Sequence, residues 1–380
     1  MTSPHGGKLI QIKTNQSSAE RTREMLESTK VRVSEETRVQ IYNISTGVLS
    51  PIDGFMGKAD YESVIEDMRL DDDTPWTIPV LLHVPQNFKG EAGEDITLVD
   101  ERDNPIAKME IEELFSISKK EYAKSVFGSL DQAHPGVANT FASSERVCSG
   151  KLKSVVKFEN LGFEEYTLSP RETRVFFKER SWKNVIAFQT RNAPHIGHEY
   201  LQKTGLSFAD GLFINPVLGK KKPGDFTDQV ILETYKALVK NYYPKDSVLL
   251  SVLHYEMQYA GPKEAIMHAI MRKNFGCARI AIGRDHAGVG NFYGPYAAQE
   301  IFKEFPDLGI EPVFFKEYYY CKKCAGAASE KICPHPESER LTFSGTNLRK
   351  MFLSGEKPPK EYMRPEVSQV ILKSKKPFVE

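Results

Sequence analysis

The chain has 380 residues, of which 40% are apolar, and it carries 51 basic and 51 acidic side chains. This length predicts two or three folded domains, and the balanced charge excludes the general basic field of a protein that coats nucleic acid or a membrane surface. Residues 1–13 are polar, and no run approaches the roughly 18 apolar residues that span a bilayer. We therefore expect a cytoplasmic protein that binds neither nucleic acid nor membrane and builds any anion site locally.

Residues 1–165 contain short β-like runs separated by turn formers. The runs at 77–84 and 96–98 are apolar, and turns containing Pro, Asn and Asp follow them. Short strands between turn residues are typical of an α+β or small barrel-like domain. Residues 47–55, which are rich in Gly, Ser and Pro, predict a structured turn within this domain.

Residues 166–318 have a different pattern, in which apolar runs alternate with helical segments. Candidate strands lie at 185–188, 211–217, 247–253 and Arg279–Ile282, and candidate helices at 198–207, 230–240 and Pro262–Asn274. This alternation favours a parallel sheet covered by helices, and such sheets bind ligands at the carboxyl ends of their strands. The residues that follow each strand are therefore the candidates for a site.

The stretch from Gln189 to His198 follows the first of these strands and leads into a helix. His195 and His198 are three positions apart, so both lie on one face of the first helical turn, where free backbone N–H groups and the macrodipole attract phosphate. Gly197 lets a ligand approach the backbone, and Pro194 suits the bend into the helix. The stretch predicts a nucleotide-phosphate site, although a histidine pair that only caps a helix has the same spacing.

A second segment whose residue types suit the binding of an anion, here called an anion-type segment, follows the candidate strand Arg279–Ile282. It comprises residues 283–288, Gly-Arg-Asp-His-Ala-Gly. Glycines allow the backbone N–H groups of a loop to face an anion. Arg284 adds a planar set of donors that suits sulfate or phosphate oxygens. The alternative is a plain turn in which Asp285 stabilises Arg284.

Two further segments have phosphate-like composition. Ser344 and Thr346 open a helix-like stretch that carries Arg349, and such a turn can hold the triphosphate of a nucleotide or can merely cap the helix. Residues 220–225, Lys-Lys-Lys-Pro-Gly-Asp, follow a candidate strand. They could reach pyrophosphate or form a solvated loop.

Residues 319–380 begin with a cluster of cysteines. Cys321, Cys324 and Cys333 are followed by His335, and a CxxC pair with a second Cys and a His nearby is typical of a zinc site. Four protein ligands leave no open position for catalysis. We therefore expect a structural Zn²⁺ that stabilises a small C-terminal subdomain.

Taken in order, these segments resemble sulfate adenylyltransferase, also known as ATP sulfurylase. The resemblance covers nearly the whole chain and rests on residues 47–55, 179–182, 189–198, 259–274, 283–288 and 344–349. The chain departs from the family at Ala193, where Pro is common, and at Gln258, where a basic residue is expected. The spacing from Arg191 to the histidines is preserved, so we expect the first departure to shift only the local turn.

The resemblance implies an α/β fold of three parts. These are a β-rich, PUA-like domain at 1–165, a Rossmann-like parallel sheet of the HxGH nucleotidyltransferase type at 166–318, and a zinc-bearing α/β subdomain at 319–380. It implies reversible conversion of ATP and sulfate into adenosine 5′-phosphosulfate and pyrophosphate, with Mg²⁺ on the nucleotide. A homo-oligomer, with a dimer favoured, is also implied. The sequence has no GxxxxGKS/T motif, so we expect the bacterial or archaeal type without a fused kinase.

The resemblance also assigns roles to single residues. Sulfate would be held by Gln189, Arg191, Arg284 and the backbone of Ala287. The catalytic residues would be Thr190, Arg191, Asn192, His195 and His198. The nucleotide would be contacted by Gln189, Asn192, His195, His198, Gly283, Arg284, Asp285, His286, Ser344 and Arg349.

The chemistry of sulfate agrees with this set of side chains. Sulfate is fully ionised at neutral pH, so it has no proton to lose and needs no general base. Repulsion between sulfate and the ATP polyanion must be relieved by Arg, His and helix-start donors, which position the two for direct in-line attack on the α-phosphorus. Two other functions fit part of the sequence: another HxGH nucleotidyltransferase, and a zinc-ribbon protein that binds nucleic acid. The zero net charge and the lack of an aromatic and basic stripe count against the second.

Overall fold

A computed structural model describes residues 1–15, 28–158, 161–342 and 345–380. It has a β-rich first domain, a six-stranded parallel sheet with helices on both faces, and a C-terminal segment that starts with a three-stranded sheet. Within the ranges described, none of the helices combines the length and apolar character needed to cross a bilayer.

The first domain is built on a seven-stranded sheet of mixed direction. Its strands are β1 Thr14–Asn15, β2 Thr29–Arg32, β3 Gly54–Phe55, β4 Leu82–His83, β5 Asp95–Val99, β6 Pro105–Ser116 and β7 Arg146–Val156. The long strands β6 and β7 pair antiparallel at its centre, with β5 beside β6. The flanking helices are α1 Glu35–Ser45, α2 Lys58–Asp67, α3 Lys119–Phe127 and α4 Pro135–Ala142.

The second sheet is entirely parallel. Its strands are β8 Val185–Thr190, β9 Gly211–Leu218, β10 Val248–Leu250, β11 Leu253–His254, β12 Arg279–Ile282 and β13 Glu311–Phe314. Their order is β10-β9-β8-β12-β13, with β11 paired to β9. Strands β9 and β10 extend the sheet on one side of β8, and β12 and β13, which come later in the chain, extend it on the other side. The topological switch point therefore lies between β8 and β12.

Helices cover both faces of this sheet. They are α5 Pro170–Glu179, α6 Ile196–Leu206, α7 Asp228–Tyr242, α8 Pro262–Asn274 and the short α9 Ala297–Glu300. Val185 and Ala187 of β8 pack into the core shared with α8 and the first domain, whereas Ile186 and Phe188 pack with α7 on the opposite face. Burial on both faces explains the continuous apolar run from which the sequence predicts this strand.

Helix α8 lies between the sheet and the first domain, and its residues 264–274 are all buried. The side-chain amide of Asn274 donates to the carbonyls of Val48 and Ser50 at 3.0 and 2.9 Å. Both acceptors belong to the turn at 47–55, so this turn joins the first domain to α8. The interpretation of 47–55 as a structured turn is confirmed.

The C-terminal segment packs against the parallel sheet. It contains β14 Tyr318–Cys321, β15 Gly326–Ser329, β16 Arg340–Thr342, α10 Gly345–Leu353 and α11 Pro365–Lys373. Arg364 donates to both carboxylate oxygens of Glu199 on α6 at 2.7 and 2.8 Å. The backbones of Gly224 and Val379 are also joined, by a 2.8 Å hydrogen bond.

Several predicted elements differ from the observed ones. The run at 77–84 pairs as a strand only at Leu82–His83, because much of the rest is apolar connection buried in the core. The run at 247–253 is split into β10 and β11, since the backbone N–H of Val252 donates to the carbonyl of Tyr166 instead of to β9. Strand β13 was not predicted, because Glu311 and Pro312 interrupt its apolar pattern.

Candidate active site

The carboxyl ends of β8, β9 and β12 lie next to one another and carry three of the predicted anion-type segments. Strands β8 and β12 pair at Arg279 with Ile186 and at Ile280 with Ala187, although both strands run further. The two strands therefore separate towards their carboxyl ends and open a crevice at the switch point, where sheets of this kind bind ligands. Residues 189–198, 220–225 and 283–288 follow the three strands at this crevice.

The chain turns sharply from β8 into α6. The hydroxyl of Thr190 accepts from the backbone N–H of Asn192 at 3.2 Å and contacts the carbonyl of the same residue at 3.3 Å. This local side-chain bond stabilises the turn. It leaves Asn192 exposed, while Ala193 and Pro194 are buried beneath it. Asn192 can therefore reach a ligand in the crevice.

His195 and His198 lie at the start of α6, as the sequence predicts. His195 is the N-cap residue, and its Nδ1 accepts from the backbone N–H of His198 at 3.3 Å. The two rings stack with centroids 3.8 Å apart. Burial lowers the pKa of His198 to about 4 and holds the pKa of His195 well below its ordinary value. Both imidazoles are therefore neutral at pH 7 and contribute as hydrogen-bonding groups at the positive end of the helix.

Arg191 links three loops around the crevice. Its guanidinium lies over the ring of Tyr259, 5.1 Å from the centroid, and donates to the Tyr259 hydroxyl. The same guanidinium is 3.4 Å from the carbonyl of Lys220 and 3.9 Å from the carboxylate of Asp225. Because these partners come from different loops, Arg191 is held in a defined position at the end of β8.

The loop 283–288 has an unusual and well-held backbone. Asp285 and Ala287 adopt left-handed φ values of 52° and 57°, a conformation that is costly for residues with a side chain and is concentrated at functional sites. The backbone N–H of Asp285 donates to Pro295, and that of Gly261 donates to the carbonyl of Ala287 at 3.1 Å. The second of these bonds ties the loop to the segment that precedes α8.

The side chain of Arg284 is 44% exposed and already has acidic partners. It lies 2.7 Å from the carboxylate of Glu317 and 3.1 Å from that of Asp285. The pairing with Asp285 is the one expected for a plain turn. A role in binding an anion would require Arg284 to exchange these partners for the ligand.

His286 connects the same loop to the buried helix α8. Its Nε2 lies 3.1 Å from Nδ1 of His268, which is fully buried on that helix. Burial and the nearby charge of Arg272 lower the pKa of His286 to about 3. The imidazole is therefore neutral, and the contact fixes the position of the loop over the helix.

Residues 220–225 do not form a simply solvated loop. Lys221 is 5% exposed, with Nζ 2.9 Å from the carboxylate of Asp228. The backbone N–H of Lys220 donates to both oxygens of Glu256. Lys220 and Lys222 have exposed side chains, so only these two lysines have the freedom expected of a solvated loop.

Arg349 approaches this loop from α10. Its guanidinium lies 3.6 Å from the carboxylate of Asp225, which is also the partner of Arg191. One acidic side chain therefore lies between two arginines that the sequence assigns to anion binding. Ser344, which the sequence assigns to the nucleotide, lies outside the described residues.

The four predicted metal ligands are close together. One ligand atom from each of Cys321, Cys324, Cys333 and His335 lies within 4.8 Å of every other. The sulfurs of Cys324 and Cys333 are 3.8 Å apart, and Nδ1 of His335 is 3.3 to 3.6 Å from the three sulfurs. Tetrahedral zinc bonds of roughly 2.3 Å to sulfur and 2.1 Å to nitrogen place such atoms about 3.8 and 3.6 Å apart. The measured distances in the cluster are close to those of a tetrahedral zinc site, so the four side chains could hold a metal ion.

Comparison with known proteins identifies the family. A model described as ATP-sulfurylase matches residues 164–374, and one described as a PUA-like domain matches residues 2–157. Sulfate adenylyltransferase of Hyperthermus butylicus is 52% identical over 380 residues, covering 99% of this chain and 97% of the relative. The chain belongs to the sulfate adenylyltransferase family. A second member, from Pyrococcus abyssi, is 51% identical and is covered from end to end.

A solved structure described as hexameric APS kinase from Thiobacillus denitrificans has the same fold over this length. Its TM-score is 0.76 at 20% identity, and the match covers 99% of this chain and 69% of that one. The predicted α/β class, with a PUA-like domain before an ATP-sulfurylase domain, is confirmed.

The two departures from the family pattern have visible structural settings. Ala193 is 3% exposed and packs in the core on the α7 face of the sheet, so a small apolar residue suits the turn before Pro194. The backbone N–H of Gln258 donates to the buried carboxylate of Glu264 at 2.9 Å. This bond depends on the main chain and does not require a particular side chain at 258.

Some residues of the crevice were not predicted from the sequence. Tyr259 holds Arg191, Asp225 lies between Arg191 and Arg349, and Glu317 pairs with Arg284. The only signal for Tyr259 was its place in the family-like stretch 259–274. Asp225 and Glu317 are ordinary acidic residues in the sequence, and only the fold brings them to their arginines.

Proposed function

We propose that this chain transfers the adenylyl group of ATP to sulfate and forms adenosine 5′-phosphosulfate and pyrophosphate reversibly. The observation that carries the proposal is the crevice between β8 and β12, around which the segments 189–198 and 283–288 meet. Relatives that share about half of their residues with this chain and carry the name sulfate adenylyltransferase support it.

The reaction requires no proton transfer by the protein. A sulfate oxygen attacks the α-phosphorus as the bond from that phosphorus to the bridging oxygen breaks, and pyrophosphate leaves with the electron pair. Sulfate is already a dianion, so a general base has no task. The protein must instead hold two anions in line and reduce their repulsion, which is electrostatic and positional work.

We propose that the sulfate lies nearest to β8. Gln189 and Arg191 follow that strand, while Arg284 and the backbone N–H of Ala287 would approach from the neighbouring loop. The multiple contacts of Arg191 support this role, because a guanidinium held in place loses little freedom when it binds an anion. Arg284 would exchange Glu317 for sulfate.

We propose that the nucleotide lies over the start of α6. His195, His198 and Asn192 would contact its phosphates, with Thr190 supporting the turn. The neutral imidazoles and the helix N-terminus suit this role, because they donate hydrogen bonds to a polyanion without requiring a buried charge beforehand.

The remaining contacts of the proposed nucleotide site come from two other segments. The backbone of residues 283–286, with Asp285 and His286, would orient the nucleoside. Arg349 and Ser344 would bind the triphosphate end. The proximity of Arg349 to Asp225 and Arg191 supports this arrangement.

Two metal ions are part of the proposal. Mg²⁺ would arrive with ATP and neutralise charge on the leaving pyrophosphate. Zn²⁺ would occupy the cluster of Cys321, Cys324, Cys333 and His335, for which the interatomic distances are suitable. We further propose a cytoplasmic homo-oligomer, most simply a dimer. Light scattering would then give twice the chain mass of 43.0 kDa.

Exchange of labelled pyrophosphate into ATP tests the proposed activity. We expect exchange only when sulfate is present, because pyrophosphate is released only when sulfate takes the adenylyl group. Arg191→Ala should abolish the exchange. Arg32→Ala is the matched control, because Arg32 is 60% exposed and pairs with Asp103 in the first domain. Exchange that proceeds without sulfate would contradict the proposal and indicate another nucleotidyltransferase.

A further inference from the structure

Polar side chains are buried beneath the crevice, on the face of the sheet that α8 covers. Gln189 of β8 pairs with Asn215 of β9. The residues two positions earlier on both strands belong to the core shared with α8, so strand alternation places both amide side chains on that face. His268 and Arg272 of α8 are one helical turn apart and are fully buried.

Arg272 is a buried cation with incomplete hydrogen bonding. Its Nη2 donates to the carbonyl of Asn215 at 3.3 Å. Its Nε and Nη1 have no hydrogen-bond partner among the residues that the structure describes. Burial lowers the pKa of Arg272 to about 9, which still leaves it charged at pH 7. Burying such a charge costs stability, so its presence at this place calls for a functional reason.

The acceptors that would complete this hydrogen bonding are also present. The amide oxygens of Gln189 and Asn215 are both buried, and neither has a donor within the described ranges. The free donors of Arg272 and the free oxygen of Gln189 are complementary but do not hydrogen-bond directly, and one bridging water would satisfy both.

The orientation of the Gln189 amide matters for an anion. An amide has an oxygen that accepts and an NH₂ group that donates. With the oxygen directed inward, the NH₂ group is left for the crevice and can donate to sulfate. With the amide turned over, the oxygen would face the anion and repel it.

We propose that Arg272 is a positioning residue for sulfate, which holds the amide oxygen of Gln189 inward so that the amide NH₂ faces the crevice. Arg272 itself does not touch the ligand. The proposal rests on the proposed sulfate site at Gln189 and adds the residue that gives this side chain its orientation.

Arg272→Met tests the role, because it removes the charge and retains an unbranched chain. We expect the KM for sulfate to rise about tenfold or more, the size of a lost hydrogen bond to a charged group, while the KM for ATP stays within about twofold. We expect the Tm to stay the same or rise, since replacing a buried charge by an apolar side chain is often stabilising. An unchanged KM for sulfate would overturn the proposal.

Arg174→Met is the matched control. Arg174 has no free donors of this kind, because its guanidinium donates to the carbonyls of Asn274, Thr2 and Lys273 at 2.7 to 2.8 Å. Its replacement should lower the Tm and leave both KM values unchanged. We therefore expect opposite patterns of Tm and of the KM for sulfate in the two variants. Equal behaviour of the two variants would contradict a special role for Arg272.

A double-mutant cycle tests whether Arg272 acts through Gln189. In a Gln189→Ala background, Arg272→Met should raise the KM for sulfate no further, because the amide to be oriented is gone. Independent, additive increases would overturn the proposed mechanism.

Gln189→Glu provides a readout that does not depend on activity or on the folding of Arg272 variants. The new carboxylate would pair with the free donors of Arg272, so we expect a higher Tm together with loss of sulfate-dependent turnover. A lower Tm would mean that Arg272 does not face residue 189. If the wild-type chain lacked sulfate-dependent exchange, the proposed function would fail, while this Tm comparison would still decide the contact.

Discussion

At the residue scale, the arginines around the crevice already have partners. Arg191 contacts Tyr259 and Asp225, and Arg284 contacts Glu317. These contacts are mostly with groups at the rim of the crevice and not with the core. Removing such a side chain should therefore affect ligand binding much more than folding.

We expect Arg191→Ala and His198→Ala each to reduce kcat/KM by about a hundredfold or more, the usual effect of losing one donor to developing charge. The Tm of each variant should fall by no more than about 4 °C, because neither side chain is central to a hydrophobic core. Steady-state kinetics and thermal melts measure the two effects. A large decrease in Tm, with a loss of activity that matches the loss of folded protein, would show that these residues are structural.

The depressed histidine pKa values predict how stability depends on pH. Burial lowers the pKa of His198 and of His5 to about 4, below the ordinary value of 6.5. Groups with a lowered folded-state pKa stabilise the fold above the unfolded-state value and lose this contribution as the pH falls towards the folded-state value. The Tm should therefore decrease from pH 6.5 to pH 4. His198→Asn should make this decrease shallower, and an identical slope in the variant would contradict the assignment.

At the element scale, the sheet β14–β16 has only a small apolar cluster of its own, so we expect its stability to depend on the cysteines. The buried apolar cluster of this region contains only Tyr319, Cys321, Ala328 and Cys333 among the residues described. A unit of this size needs a metal or disulfide for stability. The geometry of the cluster favours a metal.

We expect Cys324→Ser, or treatment with a strong chelator, to release one Zn²⁺ per chain and to unfold this region before the rest. Limited proteolysis should then cleave near residues 318–342 first, and metal analysis should show the loss. Cys148→Ser is the control, because Cys148 is buried in the first domain away from the cluster. Equal zinc content in wild-type and Cys324→Ser protein would contradict the assignment.

Elements with a strong local pattern could be predicted from the sequence. The bounds of α8 agree because Gly261 and Pro262 mark its start and Asn274 and Gly276 its end. The edge strand β13 and the break between β10 and β11 could not be predicted, because both depend on pairing and on a contact from a distant segment.

At the scale of the whole molecule, the C-terminal segment is attached to the sheet by a partly buried ion pair. Glu199 of α6 is 4% exposed and receives two hydrogen bonds from Arg364. Because Glu199 follows His198 directly, this pair connects the C-terminal segment to the helix that carries the histidines.

Arg364→Met should lower stability by about 1.5–3 kcal/mol, since it removes two hydrogen bonds from a buried carboxylate. It should also lower kcat, because α6 loses a support beside His198. Chemical denaturation and steady-state kinetics measure both. Lys376→Met is the matched control, since the Lys376–Glu380 pair is largely exposed and should contribute almost nothing. A variant at Arg364 that behaves like this control would contradict the role of the pair.

The residues of the candidate site also divide into those with a local sequence motif and those that depend on contacts with distant segments. Gln189, the two histidines and the loop at 283–288 could be found because each motif is contiguous and follows a predicted strand. The carboxylates and the tyrosine that hold the arginines could not be found, because they come from other segments and have no motif of their own. The buried charge of Arg272 appears in the sequence only as an ordinary helical residue.

The position of Asp225 between Arg191 and Arg349, 3.9 and 3.6 Å from the two guanidiniums, has a consequence for selectivity among anions. A tethered carboxylate has a high effective concentration at the two arginines, so a dilute monovalent anion such as chloride competes with it poorly. A sulfate or polyphosphate that brings two charges and several oxygens can replace it. We therefore expect Asp225 to keep chloride from the two arginines, and Asp225→Asn should make turnover sensitive to inhibition by chloride.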